Sequence, residues 1–421
     1  MARVGLAAAA GAARLALAHR RGFASAGGGA GPLAGVKVLD LGQMVAGGYC
    51  SAVLGYFGAD VVKIEPPGAG DPLRSLRALD ETGTSLWWRS YGRNKRCVSI
   101  DLRTEKGRGL VKRLAKEWAE VLCENFRPGV MEKWGLGPED LPERLVYARI
   151  SGYGQTGPLA REPGYASVCE AYSGFRSLNG YADRPPVRPN ISLGDTLAGL
   201  HSAFGVVMSL LAKQRAGGGG GGRHVVDVSI TEAMFTVLEG CMTEAAYNGK
   251  DREPSGSTIS GVVPTGTFLC ADGQYAVVGG NGDSIYSRLM AAIGHADKAA
   301  DNPLYKDNAA RMLREDEIMG AIAAWCAERP AAEVLKAMSE ARVPAGPVLR
   351  PTDLLQNEQL IARGALEEVD GFTLPAIHPR VSGAGTRWAG RAVGADTDEV
   401  LEGLLSLSQA ELAELRQEGV I

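Results

Sequence analysis

The sequence predicts a doubly wound α/β protein: a large parallel-sheet domain built from the N-terminal half and the C-terminal tail, with a smaller α+β domain inserted. Three observations carry this. Apolar runs of strand length alternate with helical patterns from Val36 onward. The first strand–helix–strand unit turns through a glycine, as a βαβ crossover does. At 421 residues, 45% hydrophobic and 22% charged, the chain has material for a sizeable core and more than one domain.

The elements follow in order. "VKVLDLG" is a buried strand and its turn, "MVAGGYCSAVLGYFGA" a small-residue helix, and "DVVKIEPP" a strand stopped by a proline pair. "GRGLVKRLAKEW" is an amphipathic helix, "AEVLCENF" a strand, and "LVYARISGYG" a strand running into a glycine-rich loop. From Thr196 a long apolar helix follows a carboxylate, Asp195, and after it "HVVDVSITEAMFTVLEG" reads as strand then helix. The large domain is expected over 32–246. Texture then changes to "YNGKDREPSGSTISG", opening a small domain over 247–342 with a hairpin across Asp272-Gly273, a glycine loop and helices. Residues 343–421 are expected to return to the large domain. Gly217 to Gly222 reads as a surface loop, since no Gly-Lys-Ser/Thr follows to make it a phosphate loop.

Composition excludes several classes. A net charge of −3 argues against a dedicated nucleic-acid binder. No unbroken apolar run reaches the roughly 18–20 residues a membrane span needs. Seven scattered cysteines without a CxxC pair fit free thiols in a reducing compartment, and five scattered histidines make no metal-ligand set. The turn "LGQMVAGGYC" is not GxGxxG, which withdraws support from a nicotinamide or flavin enzyme. Arg3, Arg14, Arg20 and Arg21 precede the first acidic residue, Asp40, so 1–31 reads as a mitochondrial transit peptide and the matrix as the destination.

At "SLGDTLAG" the chain resembles the family III CoA-transferases, the group that includes the formyl-CoA and carnitine CoA-transferases. "PLAGVKVLDLG", "GADVVKIEPPGAGD", "NKRCVSIDLRTEKG", "ENFRPGVMEKWGLG", "ISGYGQTGP", "VVDVSITEA", "DGQYAVVGGNGD", "VPAGPV" and "DTDEVL" match in order across Pro32 to Ile421. Within the family the texture is most similar to the succinyl-CoA:glutarate enzymes. The resemblance implies an interlocked homodimer, CoA thioesters and a carboxylic acid as substrates, glutarate as the favoured acceptor, and no bound cofactor.

It also implies site residues. Asp195 is the nucleophile; a carboxylate attacking a thioester forms a mixed anhydride and releases the thiolate. A helix head favours such an anion; an ordinary N-cap would also account for an Asp there, and capping is expected as its resting state. Gly279 and Gly280 begin the loop that closes over the anhydride and approaches the oxyanion, with Asn281 a departure from the usual further glycines. CoA contacts fall on Val45, Ala46, Arg103, Asn125, Phe126, Arg127 and Lys133, with Tyr153 nearer the thiol. Val45 stands where formyl-CoA transferases carry a glutamine, which turns the resemblance away from formate or oxalate. Arg93, Lys95 and Arg96 are candidate holders of a distal carboxylate, without individual assignment, and Tyr165 sits in the loop facing the nucleophile. Ala395 replaces a usual histidine. The rival on the same scaffold is an α-methylacyl-CoA racemase, which needs a histidine as one of two proton carriers. Here the matching positions are Tyr165 and Ala166, so the transferase chemistry is preferred.

Overall fold

A computed structural model describes residues 31–217 and 222–421. The expected transit segment, apart from Gly31, and the middle of the glycine tract lie outside the described residues. The chain divides into two compact units: one comprises the described residues up to Ser173 with Pro189–Val237 and Asn357–Ile421, the other Gly174–Arg188 and Leu238–Gln356.

The first unit is built on six parallel strands: β1 (Lys37–Asp40), β2 (Asp60–Glu65), β3 (Lys95–Ser99), β4 (Val121–Glu124), β5 (Val146–Ser151) and β6 (His224–Ser229). Their order is β3-β2-β1-β4-β5-β6, so the winding reverses between β1 and β4. Alternation along each strand sends successive side chains to opposite faces. Leu39, Val62, Val98, Leu122 and Tyr147 point to a face covered by helix α2 (Glu105–Glu117) and by Val400, Leu401 and Leu412 of the C-terminal helices. Val38, Val61, Val121, Val146 and Ala148 point the other way, under helix α1 (Ala46–Tyr56) and helix α3 (Leu193–Arg215). Thr104 caps α2 by accepting from the Gly107 amide. All seven cysteines are buried free thiols.

Two elements of this unit lay outside the sequence reading. β3 opens on Lys95-Arg96, which hides a strand from an apolar-run criterion; both cations are spent internally, as shown below. A hairpin, Leu366–Val369 with Phe372–Pro375, is too short and polar to show periodicity. One expectation is corrected. By length and composition α3 is apolar enough to cross a membrane, because its Gly, Ala and Ser interruptions hardly lower its hydropathy. It packs here on α1, β5 and β6.

The second unit carries a three-stranded antiparallel sheet, β7 (Thr265–Leu269), β8 (Tyr275–Gly279) and β9 (Ala345–Pro347). The β7–β8 hairpin turns at Gly273, which has φ of 77°. Helices Asp283–Ala292, Glu315–Ala327 and Ala331–Glu340 bury Tyr286, Leu289, Ile318, Ile322, Val334 and Met338 with Phe268 and Val278 of the sheet. The expected small domain, 247–342, lies inside this unit. The expected return at 343 does not occur there: β9 pairs with β8, and the unit runs to Gln356.

Candidate active site

In an open parallel sheet the crevice outside the strand carboxyl ends at the reversal point is where ligands bind. Here that crevice is framed by the turn after β1, Leu41 to Val45, and by Asn125, Phe126 and Arg127 after β4. The Asn125 side chain joins the two loops, accepting from the Gln43 amide at 2.7 Å and donating to the Gln43 carbonyl at 2.8 Å.

Buried charges hold the same turn from behind. Asp40 accepts from the Gly42 amide at 2.9 Å and from Ser51 Oγ at 2.5 Å, and faces Lys95 Nζ at 3.1 Å. Lys95 also donates to the Gly48 carbonyl at 2.7 Å. Lys63 donates to the Gly42 carbonyl and pairs with Asp71 at 3.1 Å, while Asp71 accepts from the Met44 amide at 3.0 Å. Burial alone would raise the Asp40 carboxyl, but Lys95 and Lys63 hold it below the ordinary value. At the end of β4, burial pushes Glu124 up to about 7 against the pull of Arg149, which lies 3.1 Å away. Glu124 also accepts from the Phe126 amide at 2.7 Å, so the loop carrying Phe126 is tied to a carboxyl that titrates near neutrality.

The expected CoA residues divide by exposure. Val45 is 3% exposed and packs with Leu73, Trp88 and Cys97, and Ala46 is equally buried, so a ligand there would meet backbone. Asn125 and Phe126 are half-buried, the latter edge-on to Trp134 at 5.1 Å. Arg127 and Lys133 are exposed, and Arg103, 82% exposed, forks onto Asp101. Arg103 follows β3, three strand spacings from β4, roughly 14 Å across the sheet. Tyr153 follows β5 and meets Tyr172 edge-on at 5.4 Å.

The cations considered for a distal carboxylate are otherwise engaged. Arg93 donates to Ser90 and Pro375 carbonyls, Lys95 is bound to Asp40, and Arg96 forks onto Asp60 at 2.6 and 3.1 Å.

Asp195 occupies the third position of α3, inside its first turn. The cap position belongs to Ser192, whose carbonyl accepts from the Thr196 amide at 3.0 Å and from Thr196 Oγ1 at 2.8 Å. The expectation that Asp195 caps the helix at rest is therefore replaced: the carboxylate is a half-buried first-turn anion, in the field of the helix terminus. The orphan amide beside it is satisfied from elsewhere. Glu170, fully buried on helix Ala166–Tyr172, accepts from the Gly194 amide at 3.1 Å. Sequence reasoning missed Glu170; an acid inside an apolar helix, "ASVCEAY", was the available signal. Burial raises the Cys169 thiol and the Asp195 charge adds to that, which puts the carboxylate next to this helix. Tyr165, 76% exposed, and Ala166 begin the same helix, with no histidine at either position.

α3 owes its seat on α1 to Gly199, whose absent Cβ would lie 2.6 Å from the Ala46 carbonyl oxygen.

The glycine loop belongs to the second unit. The Gly279 amide donates to the Pro344 carbonyl and the Gly280 amide to the Pro264 carbonyl, each at 2.9 Å. Both predicted donors are thus occupied in this conformation. A Cβ on Gly280 would meet Leu289 Cδ2 at 2.5 Å and Pro264 Cγ at 3.2 Å, so a larger residue there requires those side chains to shift. A Cβ on Gly279 would meet nothing within 4 Å, so that position is open to a ligand.

Comparison with known proteins adds four findings. A family described as CoA-transferase family III matches residues 33–397. A succinyl-CoA–D-citramalate CoA-transferase of Chloroflexus aurantiacus is 38% identical, over 93% of this chain and 98% of the relative. The succinyl-CoA:glutarate CoA-transferase of Mus musculus is 29% identical, over 93% and 90%. Among solved structures, a CAIB/BAIF family protein from Brucella suis superposes with a TM-score of 0.79 at 27% identity, covering 89% of this chain and 100% of that one.

Proposed function

The chain belongs to CoA-transferase family III, and from that premise we propose that it moves CoA from succinyl-CoA to a second dicarboxylic acid through Asp195. The Asp195 carboxylate attacks the thioester carbonyl, the C–S bond breaks, and CoA leaves as thiolate with a mixed anhydride in its place. The thiolate attacks the aspartyl carbonyl, releasing succinate and leaving an aspartyl thioester. The acceptor carboxylate displaces CoA to form a second anhydride, and the thiolate then attacks the acceptor acyl carbon, freeing the new thioester and Asp195. Activation is conserved throughout, so no other energy source enters.

The observation that carries this reading is the place of Asp195, a half-buried carboxylate in the first turn of α3, with buried Glu170 on the neighbouring Gly194 amide. The crevice between β1 and β4, with Arg127 and Lys133 exposed after β4, suits the nucleotide end of CoA. Glutarate, expected from sequence texture, yields first place to citramalate as acceptor, because the citramalate enzyme shares 38% identity against 29% for the glutarate enzyme. The loop from Gly279 is assigned to excluding water from the anhydride. Homodimerisation is supported by an apolar stripe on α3, Leu200, Phe204, Val207, Met208 and Leu211, all exposed at helical spacing. The arginine-bearing, acid-free N-terminus supports the mitochondrial matrix as location.

The test mixes the protein with succinyl-CoA and, separately, citramalate and glutarate, and follows CoA esters by chromatography. Wild type should form the acceptor thioester and Asp195→Asn should not. Equal activity in the two would remove Asp195 from the mechanism. Failure of every dicarboxylate would end the substrate assignment.

A further inference from the structure

Arg311 is fully buried on the short helix Asn308–Met312 of the second unit. A buried guanidinium is costly unless its donors are used and its charge is met. Its Nη2 donates to the Asn281 carbonyl at 3.0 Å and to Asp283 Oδ1 at 2.7 Å, and its plane lies over the Tyr286 ring, 4.7 Å from the centroid. Its Nη1 donates to the Tyr305 carbonyl at 3.4 Å. Asn281 lies in the loop that begins at Gly279, and Asp283 and Tyr286 lie in the first turn of the helix the loop feeds. The only carboxylate paired with this cation among the described residues is Asp283, itself 61% exposed.

One turn earlier on the same face, Asn308 grips the neighbouring segment. Its Oδ1 accepts from the Val263 amide at 3.0 Å and its Nδ2 donates to the Gly261 carbonyl at 2.8 Å. That segment ends at Pro264, whose carbonyl receives the Gly280 amide at 2.9 Å. Two side chains three residues apart therefore fix both strands of backbone that meet at Gly280.

We propose that Arg311 is the positioning residue of the glycine loop, with Asn308 holding the segment against which the loop rests. Resting on the transferase reading, the inference deepens it: Arg311 touches no substrate and acts by setting the place and rigidity of Asn281 to Asp283. Both loop-side acceptors are reached from Nη2 while Nη1 donates to the Tyr305 carbonyl at 3.4 Å, so Arg311→Lys retains the charge but loses the reach, the second nitrogen and the flat face over Tyr286.

The experiment compares wild type with Arg311→Lys and Asn308→Ala by three readouts. Amide hydrogen exchange is followed in the 279–283 segment and, as reference, in Glu315–Ala327. Initial rates give kcat and KM for succinyl-CoA. The share of succinyl-CoA lost to hydrolysis instead of transfer is measured at fixed acceptor. In Arg311→Lys, exchange should rise at least about tenfold in the loop and stay unchanged in the reference helix. The kcat should fall by up to about a hundredfold, the penalty of roughly ångström misplacement, with KM within threefold and a larger hydrolytic share. Asn308→Ala should move the same readouts in the same direction, less far. Exchange rising equally in loop and reference helix would show a merely structural arginine and overturn the proposal, as would a loosened loop with unchanged kcat and hydrolysis. Should wild type transfer CoA to no acid, the transferase reading fails alone, and the exchange data still decide whether Arg311 holds the loop.

Discussion

Replacing Gly199 by alanine tests whether the seat of α3 on α1 places Asp195, the proposed nucleophile. The added Cβ would lie 2.6 Å from the Ala46 carbonyl oxygen, 3.1 Å from Tyr49 Cβ and 3.2 Å from the Cys50 amide nitrogen. Two of these are backbone atoms of α1, so no side-chain rotation relieves them. Restoring ordinary contact requires the helices to part by roughly 0.8 Å. Overpacking of this kind costs about 1–3 kcal/mol. For a chain of this length that lowers the melting temperature by roughly 1–5 °C. Asp195 lies one turn before Gly199 and moves with the helix, and a displacement approaching 1 Å lowers kcat by about 10- to 100-fold. Differential scanning fluorimetry and succinyl-CoA turnover read the two effects. Gly320→Ala is the control, since a Cβ on this helical glycine meets nothing within 4 Å; it should be neutral or stabilising by about 0.5–1 kcal/mol. A Gly199→Ala protein with wild-type melting and kcat would show that the two helices have slack, and the argument that their approach positions Asp195 would fall.

Two further outcomes follow from the site. Glu170→Gln retains an acceptor for the Gly194 amide and should keep most activity, whereas Glu170→Ala leaves that amide buried and unsatisfied. The alanine variant should lose about 1–3 kcal/mol of stability and much of kcat; indistinguishable kcat values in the two variants would refute the role. Asp40, whose pKa is lowered in the fold, contributes stability that is fully present above the unfolded value near 3.9 and is lost as pH falls through its folded value. The urea stability of wild type should therefore exceed that of Asp40→Asn by about 3–5 kcal/mol at pH 7, because the variant strands Lys95, and the gap should narrow below pH 4. A gap independent of pH would contradict the sign.

What was legible in the sequence follows physical signal strength. Val38 to Asp40, Val121 to Cys123 and Val146 to Ile150 announced themselves as strands because both faces are buried and nearly every residue is apolar. β3 did not, since its first two side chains are cations whose burial depends on Asp40 and Asp60, partners distant in sequence. Asp195 stood out from its motif as a candidate, but its place inside the first turn was not legible, because the helix starts after Ser192 and the Gly194 amide is met by Glu170, a contact no local pattern encodes. Arg93, Lys95 and Arg96 looked available for a substrate for the same reason: a sequence displays charge without showing its partner. Glycine at 280 read as a ligand-approach device, and nothing in the local pattern signalled that the Leu289 side chain also packs against it.

On the proposed mechanism, thioesters and an anhydride form within the protein, and both acylate amines, lysines included. Lys63 and Lys95 stand behind the turn of the β1–β4 crevice, fully buried. Burial alone would tend to free the Lys63 amine, but Asp40, Asp71 and Glu65 hold it more firmly protonated than an ordinary lysine. Lys95 is bound by Asp40 and the Gly48 carbonyl. An ammonium with no lone pair is not a nucleophile. The buried ion pairs thus passivate the scaffold: Lys63 is held protonated and Lys95 is shut away with its partners, so mass spectrometry of protein exhausted on succinyl-CoA should find lysine acylation confined to exposed positions such as Lys133.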